Sequence, residues 1–140
     1  MNTALFAKTN GVVPYVDTAL DLSGKNGLTL VYSAGGTDAD LAAGGLVVST
    51  SSTVPATHIV LDGVPAGRQN SLAVIGAVPP VRMYCSGTVT KHNRVMQDAA
   101  GGILNSTGSG NGRVDIGVAL ESGIAGSYVV VATFTPAIGS

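Results

Sequence analysis

Three residues of the sequence have the side-chain types of a nucleophilic catalytic group: a thiol, an imidazole and a carboxylate. They are Cys85, His92 and Asp98, and acyl transfer would require them to lie within hydrogen-bonding distance of one another. Cys85 lies in an apolar run, where an unpaired cysteine usually packs as a small buried residue. His92 lies in the segment 91–93, whose composition is typical of a turn tip. The sequence therefore predicts no catalytic residues, and we expect that the protein is not an enzyme.

Two further segments contain residue types that bind metals or phosphates in other proteins. Asp38 and Asp40 could offer oxygen ligands to Ca²⁺, but the surrounding loop lacks the further acidic residues of such sites. A short helix within residues 35–45, starting near these aspartates, is the favoured interpretation. The glycines of residues 108–112 are not followed by the Lys-Ser/Thr of a phosphate-binding loop. We therefore predict no metal site and no cofactor.

Two surface features of the sequence have ordinary explanations. Asn105-Ser106-Thr107 matches the glycosylation pattern, but the Asn, Ser and Thr content makes about one such match expected by chance. Lys91, His92 and Arg94 form a basic cluster. This cluster is more consistent with a solvated turn, or with a contact to an acidic protein surface, than with nucleic-acid binding.

The overall composition indicates a protein that contacts other proteins. The 140 residues include 7 Lys and Arg and 8 Asp and Glu, so that 11% are charged and the net charge is −1. A globular protein has about 25% charged residues. Because basic residues do not outnumber acidic ones, nucleic acid and anionic lipid are excluded as general partners. Every apolar run is also shorter than a membrane-spanning helix requires. A surface with few charges can be covered by another protein at a low desolvation cost.

The residue types also predict the fold class. Val, Thr, Ser and Gly are abundant whereas Glu and Lys are scarce, which favours strands and tight turns over helices. We expect an all-β fold, either a compact β-sandwich or a small barrel-like domain. A hairpin is predicted between residues 20–22 and 28–32, around the turn at Asn26-Gly27. Further strands are expected at residues 46–50, 57–62, 71–78, 81–85, 94–97, 102–104, 113–120 and 128–134.

The domain organisation is predicted from proline positions. Residues 12–16 have strand character, but Pro14 lacks an amide donor, which restricts them to a sheet edge or to irregular extended chain. We expect residues 1–18 to form an extended N-terminal arm and residues 19–140 to form a single β domain. Pro79-Pro80 marks a soft subdivision within that domain.

Part of the sequence resembles a known family. The segments GTVTKHNRVMQDAAGGI (residues 87–103), IGVALE (116–121) and GSYVVV (126–131) are similar to the strand-and-turn layout of the head decoration, or capsid cement, proteins of tailed bacteriophages. The likeness covers residues 81–134 and lies in the C-terminal part of the chain. It implies a small β-rich protein with no catalytic residues.

The resemblance also implies a function. Such a protein binds the outer surface of a phage capsid and stabilises the head by bridging major capsid subunits. Its partners would be the major capsid protein and further copies of itself, with a trimer expected first and a dimer second because most homo-oligomers close. It would be made in the host cytoplasm and located on the virion. The alternative is a β-sandwich recognition module of a phage fibre, but two Phe, four Tyr and no Trp provide few rings to stack on sugars.

Overall fold

The protein is built from strands. The computed structural model describes residues 11–16, 20–32, 46–107 and 112–138, and in these residues it contains ten strands and no helix. No helix in this part of the chain is therefore long and apolar enough to cross a membrane. The all-β prediction is confirmed. The strands are β1 (Val12–Val16), β2 (Thr29–Tyr32), β3 (Leu46–Val48), β4 (His58–Asp62), β5 (Gln69–Val74), β6 (Val81–Tyr84), β7 (Arg94–Gln97), β8 (Ile103–Asn105), β9 (Val114–Ala119) and β10 (Tyr128–Ile138).

The strands form two five-stranded antiparallel sheets. The first sheet has the order β1-β5-β4-β2-β3, and the second has the order β6-β10-β9-β7-β8. The chain completes the first sheet before it begins the second, and the change falls in residues 75–80. The strand predicted over residues 71–78 therefore ends early, at Val74. Gly76 adopts φ +88 and donates its N–H to Thr133 Oγ1 at 3.1 Å, which turns the chain toward the second sheet.

Strand β1 lies at one edge of the first sheet. The N–H of Val74 donates to the carbonyl of Gly11 at 2.7 Å, and the antiparallel register then directs the main chain of Pro14 away from β5. The proline therefore costs no hydrogen bond of the ladder. Within the predicted arm of residues 1–18, the segment 12–16 is thus an edge strand, whereas residues 1–10 and 17–19 lie outside the described residues.

The hairpin predicted between residues 20–22 and 28–32 is wrong. Residues 20–22 contain no strand, and the N–H of Leu22 donates to the carbonyl of Val64 at 3.1 Å. Strand β2 instead pairs with β3 and β4. Leu22 is fully buried, so contacts distant in sequence have outweighed the local turn preference. The helix expected within residues 35–45 lies outside the described residues.

The turn at Asn26-Gly27 joins the two sheets instead of closing a hairpin. Gly27 has φ +83, donates its N–H to Val60 O at 2.7 Å and accepts from Tyr84 N–H at 3.0 Å. A Cβ atom at this position would lie 2.8 Å from Tyr84 N and 3.0 Å from the Tyr128 ring. Glycine is therefore required here for its backbone angle and for the close approach of β6.

Apolar side chains fill two cores. The first sheet is covered on both faces, because alternate residues of its strands point into different cores. The shared core lies between the sheets and contains Val31, Ala56, Ile59, Ala73, Ile75, Val81, Met83, Cys85, Val89, Val95, Ile103, Val114, Ile116, Ala119, Val129 and Val131. The first-sheet core contains Tyr15, Leu22, Leu30, Leu46, Val60 and Leu72.

The second sheet curls until its two ends meet. Cys85, which follows β6, forms a parallel bridge with Ile103 of β8, and Ser86 N–H donates to Ile103 O at 3.0 Å. Strand β10 has a partner on each side, as its apolar sequence predicted. It extends beyond the predicted residue 134 to Ile138, with a bulge after Thr133.

Candidate assembly surface

The three residues with catalytic side-chain types have separate structural roles. Cys85 is fully buried, and this burial raises the pKa of its thiol. His92 is exposed at a turn with φ 71, and Asp98 accepts a hydrogen bond from Ala100 N–H at 3.1 Å in the β7–β8 turn. No hydrogen bond or ion pair described in the structure joins the three, and the described residues contain no group of three or more potential metal ligands from His, Cys, Asp and Glu.

Of the remaining polar residues considered in the sequence analysis, Asn105 has a structural role. Asn105 accepts from Thr90 N–H at 2.8 Å and donates to Thr90 Oγ1 at 3.0 Å, so its amide holds two segments of the second sheet together. The structure does not describe Asp38, Asp40 or residues 108–111.

Arg94 of the basic cluster is held on the second sheet. Its guanidinium lies 4.9 Å from the centre of the Phe134 ring, and its Nε lies 3.2 Å from Asp115 Oδ2. Asp115 is buried and also faces Arg113 Nε at 3.6 Å. The charge of Arg94 is therefore largely compensated within the protein. The sequence pattern did not point to Asp115, because it lies within a strand whose other residues are apolar.

Gln97 fastens the second sheet to the loop that connects β3 and β4. Its side chain is fully buried, accepts from Ala56 N–H at 2.8 Å, and donates to Ser51 O at 2.8 Å and to Val54 O at 2.6 Å. A second polar contact lies nearby, where Thr29 N–H and Thr29 Oγ1 both donate to Gly101 O, at 2.8 and 2.9 Å. These bonds and the shared core hold the two sheets in one arrangement.

Exposed apolar side chains cluster on the connection between β9 and β10. We call Leu120, Ile124 and Tyr128 the β9–β10 patch; their exposed fractions are 40%, 72% and 45%. The other large apolar side chains exposed in the described residues are Val16, Val47 and Val54, which lie on other parts of the chain. Exposed apolar side chains that are grouped in one segment are candidates for a protein contact.

The β9–β10 patch is held in shape by hydrogen bonds. Leu120 N–H donates to Val130 O at 2.8 Å, and Ser127 Oγ donates to Ile124 O at 2.6 Å. The Tyr128 ring packs edge-on against Tyr84, with ring centres 5.5 Å apart. The patch therefore has a defined conformation before any partner binds, which reduces the entropy lost on association.

A groove borders the β9–β10 patch at Tyr128. It has a volume of about 350 Å³ and lies where β6 meets the first sheet. An ion pair stands beside it, with Arg82 Nη1 3.4 Å from Glu121 Oε1. The lining residues are Asn26, Gly27, Val60, Leu61, Val81, Arg82 and Tyr128. Sequence reasoning missed both the groove and the patch, because they are made by residues that are distant in sequence or scattered in a glycine-rich loop.

Comparison with known proteins gives no match: no family model, no curated protein and no solved structure is significantly similar to this chain. The geometry alone therefore indicates what the surface can do. It offers apolar contact area, one ion pair and a groove, which suit binding to another protein.

Proposed function

We propose that this protein is a structural component of a virion that binds the outer surface of a phage capsid and stabilises the head by bridging major capsid subunits. The observation that carries the proposal is the β9–β10 patch, which is apolar, exposed and held in a fixed conformation. The three side chains of the patch carry no formal charge, so a capsid surface can cover them at a low desolvation cost.

The arrangement of the second sheet supports the proposal. The resemblance to decoration proteins implies a strand, a turn, a strand, a glycine turn and a strand over residues 87–103, and then a closing hairpin. The chain has a bridge at Val89, a turn at residues 91–93, strand β7, a turn at residues 98–102 and strand β8. Strands β9 and β10 then pair as an antiparallel hairpin.

The connection between the two sheets fits a mechanical role. A protein that bridges capsid subunits must transmit force without changing shape, and the Gln97 hydrogen bonds and shared core link both sheets. Each copy needs a modest affinity, because contacts made by a linked array act together. A homotrimer is the assembly that we expect on the capsid, with a dimer second.

The test uses phage heads that lack the protein. Purified protein is added, and its binding and the rupture temperature of the heads are measured. We expect saturable binding and a higher rupture temperature. Substitution Ile124→Glu should weaken binding more than tenfold, since a fully buried aliphatic side chain contributes about 1.5–3 kcal/mol.

The matched control is Val54→Glu, which introduces the same charge at an exposed valine outside the β9–β10 patch. This variant should bind as the natural protein does. If the natural protein neither binds nor shifts the rupture temperature, the proposed function is wrong. If both variants bind equally well, the assignment of the patch is wrong.

A further inference from the structure

The outer edge of β6 has one residue whose main chain is open to a partner. Cys85 N–H donates to Ser127 O at 2.8 Å, and the register places Met83 opposite Val129. In an antiparallel pair, alternate residues direct their N–H and C=O groups toward the neighbouring strand. Met83 and Cys85 therefore face β10, whereas Arg82 and Tyr84 direct their main-chain groups to the opposite side.

The hydrogen bonds of Val130, which lies opposite Arg82, confirm this direction. Val130 N–H donates to Glu121 Oε1 at 2.9 Å and Val130 O accepts from Leu120 N–H at 2.8 Å, both on the β9 side. At the outer edge, Tyr84 N–H is already used by the carbonyl of Gly27. The N–H and C=O of Arg82 are left without a main-chain partner in the described structure.

Each of the other three sheet edges is blocked at one or more positions. The outward side of β1 carries Pro14, which has no N–H to donate. At the edge of β3, Leu46 N–H donates to the Tyr15 hydroxyl at 3.2 Å. The edge of β8 is covered by the chain after β6, since Asn105 N–H donates to Thr88 O at 2.9 Å. Among the described strand edges, β6 is distinguished because its open main-chain position at Arg82 also borders the groove.

The groove of about 350 Å³ lies beside this open position, and Arg82 itself forms part of its lining. Val60, Leu61 and Val81 make much of the groove apolar. An unpaired N–H and C=O next to an apolar groove are complementary to an extended peptide, which supplies main-chain hydrogen bonds and a side chain for the groove. A compact helix has no free main-chain groups along its sides and could not make these hydrogen bonds.

We propose that the β6 edge binds an extended segment of a partner protein. One residue of that segment forms two main-chain hydrogen bonds with Arg82, and an apolar side chain of the segment fills the groove. The identity of the partner as a capsid subunit rests on the proposed function; the site itself does not.

Two substitutions at one position test the main-chain contact. Arg82→Pro removes the N–H, whereas Arg82→Ala removes the same side chain and its ion pair but keeps the N–H. Proline at an outward-facing edge position breaks no ladder bond, and Pro14 already occupies such a position on β1. The probe is the blocked peptide Thr-Val-Thr-Leu-Thr-Val-Thr, titrated by NMR. We expect R82P to bind it at least about tenfold more weakly than R82A does.

Amide hydrogen exchange gives a second measurement that needs no variant. In the free protein, Arg82 N–H should exchange rapidly while Met83 N–H, which pairs with β10, is protected. Saturation with the peptide should protect Arg82 N–H. If it does not, or if R82P and R82A bind the peptide equally, the inference is wrong. Self-association that is lost in R82P would also overturn it, because the occupant would then be a second copy.

A parallel binding assay on phage heads separates this inference from the proposed function. Weaker binding of R82P than of R82A to both peptide and heads supports the two together. Peptide binding without head binding overturns the proposed function and leaves the β6 site intact. Head binding that is equal in R82P and R82A overturns the capsid subunit as the occupant of the site.

Discussion

Replacing Gln97 with leucine should markedly destabilise the protein. The substitution keeps a side chain of similar size but removes every hydrogen bond that Gln97 makes. Two main-chain groups then lose their only partner, the N–H of Ala56 and the carbonyl of Val54, whereas Ser51 O keeps the hydrogen bond from Ser49 Oγ at 3.0 Å. Both groups lie in the loop that connects β3 and β4, so the change also weakens the connection between the two sheets.

The magnitude follows from the two groups that lose their only partner. A buried main-chain group without a partner costs about 1–3 kcal/mol. The Ala56 N–H bond is buried, whereas the bond to Val54 O is partly accessible to water, so the carbonyl costs less. We expect a loss of about 2–4 kcal/mol from a total stability of about 5–15 kcal/mol. For a chain of this length, the loss lowers the unfolding temperature by about 7–14 °C.

Thermal and urea unfolding, followed by circular dichroism, measure this effect. The matched control is Gln69→Leu, which makes the same chemical change at an exposed position of β5 and should alter stability by less than about 0.5 kcal/mol. An unfolding temperature of Q97L within about 3 °C of that of Q69L would refute the reasoning. It would mean that water or a rearranged loop satisfies the two groups.

Three further predictions concern single residues. The Cys85 thiol should resist alkylation at pH 8 in the folded protein and react on unfolding, because it is buried and burial raises its pKa; rapid labelling of the native state would contradict this. Gly63→Ala should prevent stable folding, because a Cβ atom at this position would overlap Leu22 O. Gly67→Ala is the control: open space surrounds this residue, and the substitution should cost about 1 kcal/mol because Gly67 has φ +85. Equal unfolding temperatures of the two variants would refute the predicted difference. Burial lowers the pKa of His58 from 6.5. As the pH decreases below 6.5, the unfolded state therefore binds a proton before the folded state does, and the free energy of unfolding should fall. Urea unfolding at pH 5 to 8 measures this pH dependence; His58→Gln should reduce it, and an unchanged pH dependence would exclude His58 as its source.

The strands of the second sheet were predictable from the sequence because their apolar residues recur locally and turn residues separate them. Strands β6, β7 and β8 begin and end within one residue of their predicted positions. Local chemistry determined these features, so a single sequence was sufficient. Pro14 restricted residues 12–16 to a sheet edge or to irregular extended chain, and the structure has the first of these alternatives instead of the extended arm that we expected.

Features that depend on distant partners could not be predicted in the same way. The Asn26-Gly27 turn has the composition of a hairpin, yet Gly27 contacts both Val60 and Tyr84, which belong to different sheets. Gln97 looks like an ordinary polar residue at the end of a strand, and only the folded loop shows that it is enclosed. The β9–β10 patch could not be predicted for the same reason, because the exposure of Ile124 depends on how the whole chain folds and not on its neighbours in sequence.

The division of the chain into successive sheets has a consequence for synthesis on the ribosome. Among the described strands, those of the first sheet all precede residue 75 and those of the second all follow residue 80. The N-terminal half can therefore complete its ladders while the C-terminal half is still being translated. Val31, Ile59 and Ala73 remain exposed to solvent during this interval, because the strands that cover them in the shared core are translated later. Nascent chains stalled near residue 80 should accordingly be prone to aggregation. Chaperones that recognise apolar surface should bind these chains until translation is finished.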